Sequence, residues 1–138
     1  MITLVDTSFL FALANRGDAA HSRCVSVART IQGGLVVSQT ILPEAAYLID
    51  SRLGHHAMRQ FVQQMLDPTW NIEALNKTDL ARAFEILEQY SDSRLDFVDA
   101  TIIALAERLH IRRILTLDRR HFQMIRPRHC VAFEILPL

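Results

Sequence analysis

At 138 residues, half of them hydrophobic and 22% charged, the chain can bury a core without disulfide or metal staples, and its composition excludes the disordered and fibrous classes. Its 15 basic and 15 acidic residues cancel, so composition by itself announces no nucleic-acid partner. The opening MITLV meets a charge at Asp6 and no other apolar run is long enough for a bilayer, so neither a signal peptide nor a membrane span is expected.

In chain order, ITLVD is a short apolar run closed by an acid and predicts a buried strand over residues 2–6. TSFLFALANRG follows as a short helix capped by Thr7 or Ser8 and stopped by Gly17. DAAHSRCVSVARTIQ predicts a second helix capped by Asp18 and closed by Gly33 and Gly34, and LVVS a second strand. TILPEAAYLIDSRLG is helical, with Pro43 in the first turn where a missing N–H is harmless, and ends at Gly54. HHAMRQFVQQMLD predicts a further helix and WNIEAL a strand. KTDLARAFEILEQYS has helical spacing at Leu80, Phe84 and Leu87, with Asn76 or Thr78 at its start. FVDATIIALAERLH is a helix, RRILTL a strand, RRHFQMI a short helix and CVAFEIL a final strand. Continuous apolar strands alternating with helices predict an α/β fold: one three-layer α/β/α domain over residues 1–138 around a central parallel sheet.

Ligands of parallel sheets bind outside the carboxyl ends of the strands. Asp6 ends the first strand, Asp118 follows ILTL, Glu44 lies in the first turns after LVVS, and Asp96 and Asp99 open the helix before RRILTL. Each acid alone, Glu44 excepted, has an ordinary role as a helix cap, and D-F-V-D is itself a capping pattern. As a set they are harder to dismiss, because two carboxylates about 4 Å apart repel by about 4 kcal/mol at an effective dielectric near 20. Acids sharing one rim must protonate or hold a cation. Oxygen ligands favour a hard ion, Mg²⁺ or Mn²⁺, over zinc.

Charge is unevenly distributed. Between Arg108 and Arg128 stand seven arginines and a single acid, Asp118, which predicts a local positive field on a neutral protein. Arg119, Arg120 and His121 directly follow that acid and are candidates for holding phosphates. Their ordinary alternative is a solvated helix face. Cys24 and Cys130 lack C-x-x-C spacing and zinc partners, so both are expected as small core residues in a reduced cytoplasm. His55 and His56, adjacent on a helix, diverge and are expected to face solvent, and Trp70 to pack.

LVDTSFL, QTILPE, DFVDATIIALAERL and ILTLDRRHF resemble, in order and spacing, the motifs of PIN-domain ribonucleases, in particular the VapC toxins of bacterial toxin–antitoxin pairs. The resemblance spans nearly the whole chain. It implies Mg²⁺-dependent cleavage of RNA by a metal-activated water, a homodimer, and a small VapB-like antitoxin that covers the site. Its acidic set falls on Asp6, Glu44, Asp99 and Asp118, with Asp96 matching a further acid of some members; Ser8 and Thr116 match hydroxyl positions beside the first and last acids and are expected to contact substrate. A phosphoaspartate receiver would need a lysine near the last strands, and the sole lysine is Lys77; a haloacid-dehalogenase-type enzyme would need D-x-D, and position 8 is Ser8. The remaining alternative is a non-catalytic α/β scaffold that binds RNA or protein.

Overall fold

The computed structural model describes residues 1–138. The elements are β1 (Thr3–Val5), α1 (Thr7–Ala14), α2 (His21–Thr30), β2 (Leu35–Ser38), α3 (Ile41–Leu53), α4 (His55–Gln64), β3 (Trp70–Glu73), α5 (Lys77–Gln89), α6 (Phe97–Leu109), β4 (Arg113–Leu115), α7 (Arg119–Met124) and β5 (Glu134–Leu136). All strand pairs are parallel, in the order β3-β2-β1-β4-β5. The expected α/β/α fold with a central parallel sheet is present.

Topology determines where a ligand can sit. From β1 the chain winds outward to β2 and β3, then crosses back to β4 and β5 on the other side of β1. Right-handed crossovers in opposite directions put α1–α4 on one face and α5–α7 on the other. The winding reverses between β1 and β4, which opens a crevice at their carboxyl ends. Asp6 follows β1 there, its N–H donating to the Leu115 carbonyl at 2.9 Å, and Thr116 follows β4.

The inner strands β1 and β2 are buried along their full length, as their unbroken apolar runs predict. Eight consecutive residues of α6, Asp99 to Ala106, are buried, so this helix is wrapped on all sides by sheet and α5. That enclosure allows apolar residues all round it, where a surface helix would show a polar face.

Several expectations change at element ends. Asp6, not Thr7 or Ser8, caps α1, its carboxylate accepting the Thr7 N–H at 2.8 Å. Asp18 caps no helix: it accepts the Ala20 N–H in a turn, and α2 starts at His21. The last strand is confined to Glu134–Leu136, and Cys130 lies half-buried in the bend before it, whereas Cys24 is in the core. No helix is long and apolar enough to cross a membrane.

The larger surprise is α5. Of its predicted apolar stripe, Leu80 is 46% and Phe84 62% exposed and Leu87 alone packs on the core, while Asp79, Ala83 and Ile86 face inward. Small Ala83 gives α6 room to approach. Asp79 is tolerated in the interior because it completes a capping box with Asn76 and accepts from Arg108 Nε at 2.8 Å. Asp79→Ala removes the box and strands the arginine, and is expected to lower stability by about 2 kcal/mol in a denaturant melt.

Candidate active site

Asp6 is the best-buried acid of the rim, 5% exposed. Its Oδ1 accepts from Thr7 N and its Oδ2 from the Thr116 hydroxyl, both at 2.8 Å, with the Ser8 hydroxyl at 3.5 Å. Burial pushes its pKa from the ordinary 3.8 up to about 6; the Thr116 and Thr7 hydrogen bonds oppose this, and the charges of Glu44 and Asp118 add to it. The chain thus spends two good hydrogen bonds on this carboxylate and still leaves it inclined to hold a proton.

Asp99 comes to the same place from α6. Asp96 caps that helix by accepting the Asp99 N–H at 2.8 Å, but the return bond that closes the Asn76–Asp79 box is not made. The Asp99 carboxylate turns instead to His121, whose Nδ1 lies 2.8 Å from Asp99 Oδ2 and 3.0 Å from Asp118 Oδ2. The imidazole nitrogen is hydrogen-bonded to Asp99, with the Asp118 carboxylate at ion-pair distance beside it. Burial raises the pKa of Asp99 well above the usual range, as do the charges of Asp96 and Asp6, while His121 works against them.

Asp118, Asp99 and His121 present ligand atoms within 4.8 Å of one another. Asp118 forms no side-chain cap on α7, so the ordinary capping role considered for it does not apply. Glu44 is exposed in the first turn of α3 and close enough for its charge to act on Asp6. Asp99 and Asp118 thus lie close together, and Asp6, Glu44 and Asp96 are near enough for their charges to act at the same rim. Asp96 stands at the edge of this group, exposed and engaged as a cap.

The hydroxyls take a different part from the one expected. Thr116 is fully buried, donates to Asp6 and accepts the Asp118 N–H at 2.9 Å. Ser8 accepts the Leu117 N–H at 2.9 Å and lies 3.1 Å from the Thr116 hydroxyl, to which it donates because the Thr116 proton is already on Asp6. Both side chains orient Asp6 and fasten the loop carrying Asp118. Buried Thr116 cannot meet a substrate.

A second hydroxyl chain escaped sequence reasoning. The Thr101 hydroxyl donates to the Val98 carbonyl at 2.7 Å and lies 3.0 Å from the Thr40 hydroxyl, which lies 2.7 Å from that of Ser38. With one proton each, the chain runs from Ser38 through Thr40 to Thr101. It couples the end of β2 and the start of α3, which carries Glu44, to the helix carrying Asp99. The only sequence signal is a polar Thr101 inside an apolar helix.

The arginine window dissolves in three dimensions. Arg108 pairs with Asp79, Arg113 with Glu134 and Arg128 with Glu85. Arg119 Nη1 donates to the carbonyls of Ile135 at 3.1 Å and Pro137 at 2.8 Å, away from the role of a free phosphate ligand. Arg112, Arg120 and Arg126 are exposed and make no ion pair, and of these Arg120 stands two residues from Asp118. Exposed Arg94, in the loop two residues before Asp96, likewise makes no ion pair.

This donor set suits a hard divalent cation. Its members are carboxylate oxygens, two of the carboxyl groups being buried and raised by burial and by neighbouring acids, with the His121 imidazole in their midst.

A parallel α/β sheet with acids gathered at its switch point defines the class, and the PIN domain model matches residues 3–126: the chain belongs to the PIN-domain family. It is 31% identical over 134 residues to ribonuclease VapC26 of Mycobacterium tuberculosis, covering 97% of this chain and 99% of that relative. It is 29% identical over 114 residues to the 23S rRNA-specific endonuclease VapC20 of the same organism, covering 83% and 87%. The crystal structure of VapC20, described as a sarcin–ricin-loop-cleaving toxin, matches with a TM-score of 0.81 at 27% identity, over 86% of this chain and 92% of that one. VapBC2 from Rickettsia felis, solved bound to a promoter DNA fragment, shares the fold at a TM-score of 0.73 and 16% identity, over 99% of this chain and 100% of that chain.

Proposed function

We propose that the chain is a Mg²⁺-dependent endoribonuclease and the toxin of a VapBC-type toxin–antitoxin pair, with Mn²⁺ able to replace Mg²⁺. The observation that carries this reading is the burial of both Asp6 and Asp99 at one rim, near enough for the charge of Asp6 to raise Asp99, where a cation relieves a cost that the fold otherwise bears. Asp6, Asp99, Asp118 and Glu44 hold the cation. Asp96 caps α6 and adds negative charge at the edge. When bound, the cation activates a water and steadies charge on the attacking and leaving oxygens of a phosphodiester. Thr116 and Ser8 keep Asp6 turned toward it. His121, hydrogen-bonded to Asp99 and beside Asp118, would present its imidazole to a phosphate at the same rim.

RNA as the substrate is supported by family membership and by Arg94 and Arg120, exposed, without an ion pair, and each two residues from one of the acids. A ribosomal RNA segment is the substrate class to try first, given the relative described as specific for 23S rRNA. A cognate antitoxin that covers the rim, a homodimer and a cytoplasmic setting complete the reading. The test is digestion of RNA by metal-stripped protein: cleavage should appear on adding Mg²⁺ and be absent in EDTA. A non-catalytic scaffold would cut under neither condition.

Arg94 and Arg120 carry a further expected result. Each cation that neutralises a phosphate adds about 0.7 to the slope of log K against log salt for a single strand. Arg94→Ala and Arg120→Ala should each flatten that slope by up to about 0.7, measured with Ca²⁺ in place of Mg²⁺. Arg112→Ala, at the opposite end of β4, should leave it unchanged.

A further inference from the structure

α7 is six residues long, yet it positions two of the three side chains that converge at the acidic cluster, Asp118 just ahead of it and His121 within it. Less than two turns of helix cannot hold itself in place. No side chain caps its start. One attachment is Phe122, fully buried and edge-on to Phe133 with ring centroids 6.4 Å apart. Met124 and, just past the helix, Ile125 also pack on the core, so the apolar anchors lie in the second half of α7 and leave its first turn to polar contacts.

Arg119 supplies such a contact. The Leu136 carbonyl faces β4, accepting the Thr116 N–H at 2.9 Å, so by the alternation of a strand the carbonyls of Ile135 and Pro137 face the outer edge of the sheet. Arg119 Nη1 donates to both of these. β5 is in turn registered on β4, Ile114 opposite Ile135 and Leu115 opposite Leu136, and β4 leads directly to Thr116 and its bond to Asp6. The arginine therefore closes a loop of contacts: Asp6 to Thr116, β4 to β5, β5 to Arg119, and back through α7 to Asp118 and His121.

We propose that Arg119 is a positioning residue for the cation site, holding the first turn of α7 and thereby the placement of Asp118 and His121. The proposal rests on the reading of the acidic rim as a metal site. It gives Arg119 a role distinct from that of Arg120, its exposed neighbour, which is free to meet phosphate. Loss of the guanidinium frees this first turn, and Asp118 drifts from Asp99.

The experiment compares wild type, Arg119→Met and Arg119→Lys in metal-stripped form. Three quantities are read: Mn²⁺ affinity by calorimetry, hydrogen exchange of the α7 amides without metal, and the salt slope of RNA binding in Ca²⁺. Removing a positive charge near a cation site would by itself strengthen binding. The expected result is the reverse for Arg119→Met, Mn²⁺ binding about tenfold weaker, as for loss of other groups that orient ligands. Its α7 amides exchange faster while those of α6 do not, and the salt slope stays at the wild-type value. Arg119→Lys, whose point charge serves the two carbonyls less well, falls between. Unchanged or tighter Mn²⁺ binding in Arg119→Met overturns the proposal, and so does a slope flattened by about 0.7, which would make Arg119 a phosphate contact. Should Arg119→Met not fold, Arg119→Lys decides alone: weaker Mn²⁺ binding with faster α7 exchange supports the proposal, and wild-type values for both overturn it. A wild-type chain that binds no Mn²⁺ at all would instead sink the metal-site reading.

Discussion

Asp6→Asn is expected to abolish Mg²⁺-dependent RNA cleavage and, in the same protein, to raise the melting temperature measured without metal. The second half follows from the burial of the carboxylate. A carboxyl raised from 3.8 to about 6 makes the folded state bind protons more tightly than the unfolded state. Its favourable contribution is complete below about 3.8 and is lost as pH climbs to about 6, so at neutral pH the charged group costs the fold about 3 kcal/mol. An amide of the same shape can still accept the Thr7 N–H and cap α1. Thr116 must turn its hydroxyl to accept instead of donate, which gives back part of the gain. A net gain of about 2 kcal/mol corresponds to roughly 5 °C for a domain of this size. Adding Mn²⁺ should stabilise wild type and leave the variant unmoved. A variant that melts lower and still cuts RNA would show that Asp6 is a structural cap and no ligand.

The pH dependence of metal binding is the other large effect. Before a cation enters, Asp6 and Asp99 must shed the protons that burial favours, so binding releases protons and weakens in acid. Competition at Asp6 alone lowers Mn²⁺ affinity by about tenfold between pH 7 and pH 5, and Asp99, also raised, deepens the fall. Calorimetric titrations in buffers of different ionisation enthalpy measure the released protons directly. Affinity that is flat over this range would mean that the cation contacts neither buried acid.

The sheet was legible because its inner strands are what buried parallel strands must be, short unbroken runs of apolar residues such as LVVS. The acids were legible because a parallel sheet puts every strand end at one edge, which gathered Asp6, Glu44, Asp99 and Asp118 without any knowledge of side-chain geometry. Periodicity misplaced the face of α5: of Leu80, Phe84 and Leu87 only Leu87 packs on the core, and the fully buried positions are Asp79, Ala83 and Ile86, one residue earlier. A helix packed closely on another favours small residues at the contact, and size is invisible to a hydrophobic pattern. Charge clustering along the chain misled for a related reason. Arg108, Arg113 and Arg128 find acids that are 29, 21 and 43 residues away, and no window of sequence shows those partners. His121 is the instructive case: placed by sequence among the phosphate ligands, it lies between Asp99 and Asp118 because one turn of α7 separates it from Asp118.

The central claim is that the β1/β4 crevice holds a divalent cation through its buried acids. Mn²⁺ titration of the metal-stripped protein, read by the paramagnetic resonance of free Mn²⁺, tests it most directly when wild type and Asp99→Asn are run side by side. The account predicts saturable binding by wild type that is lost or weakened by at least tenfold in the variant, with both chains folded. Equal Mn²⁺ binding by the two, or none by wild type, would contradict it.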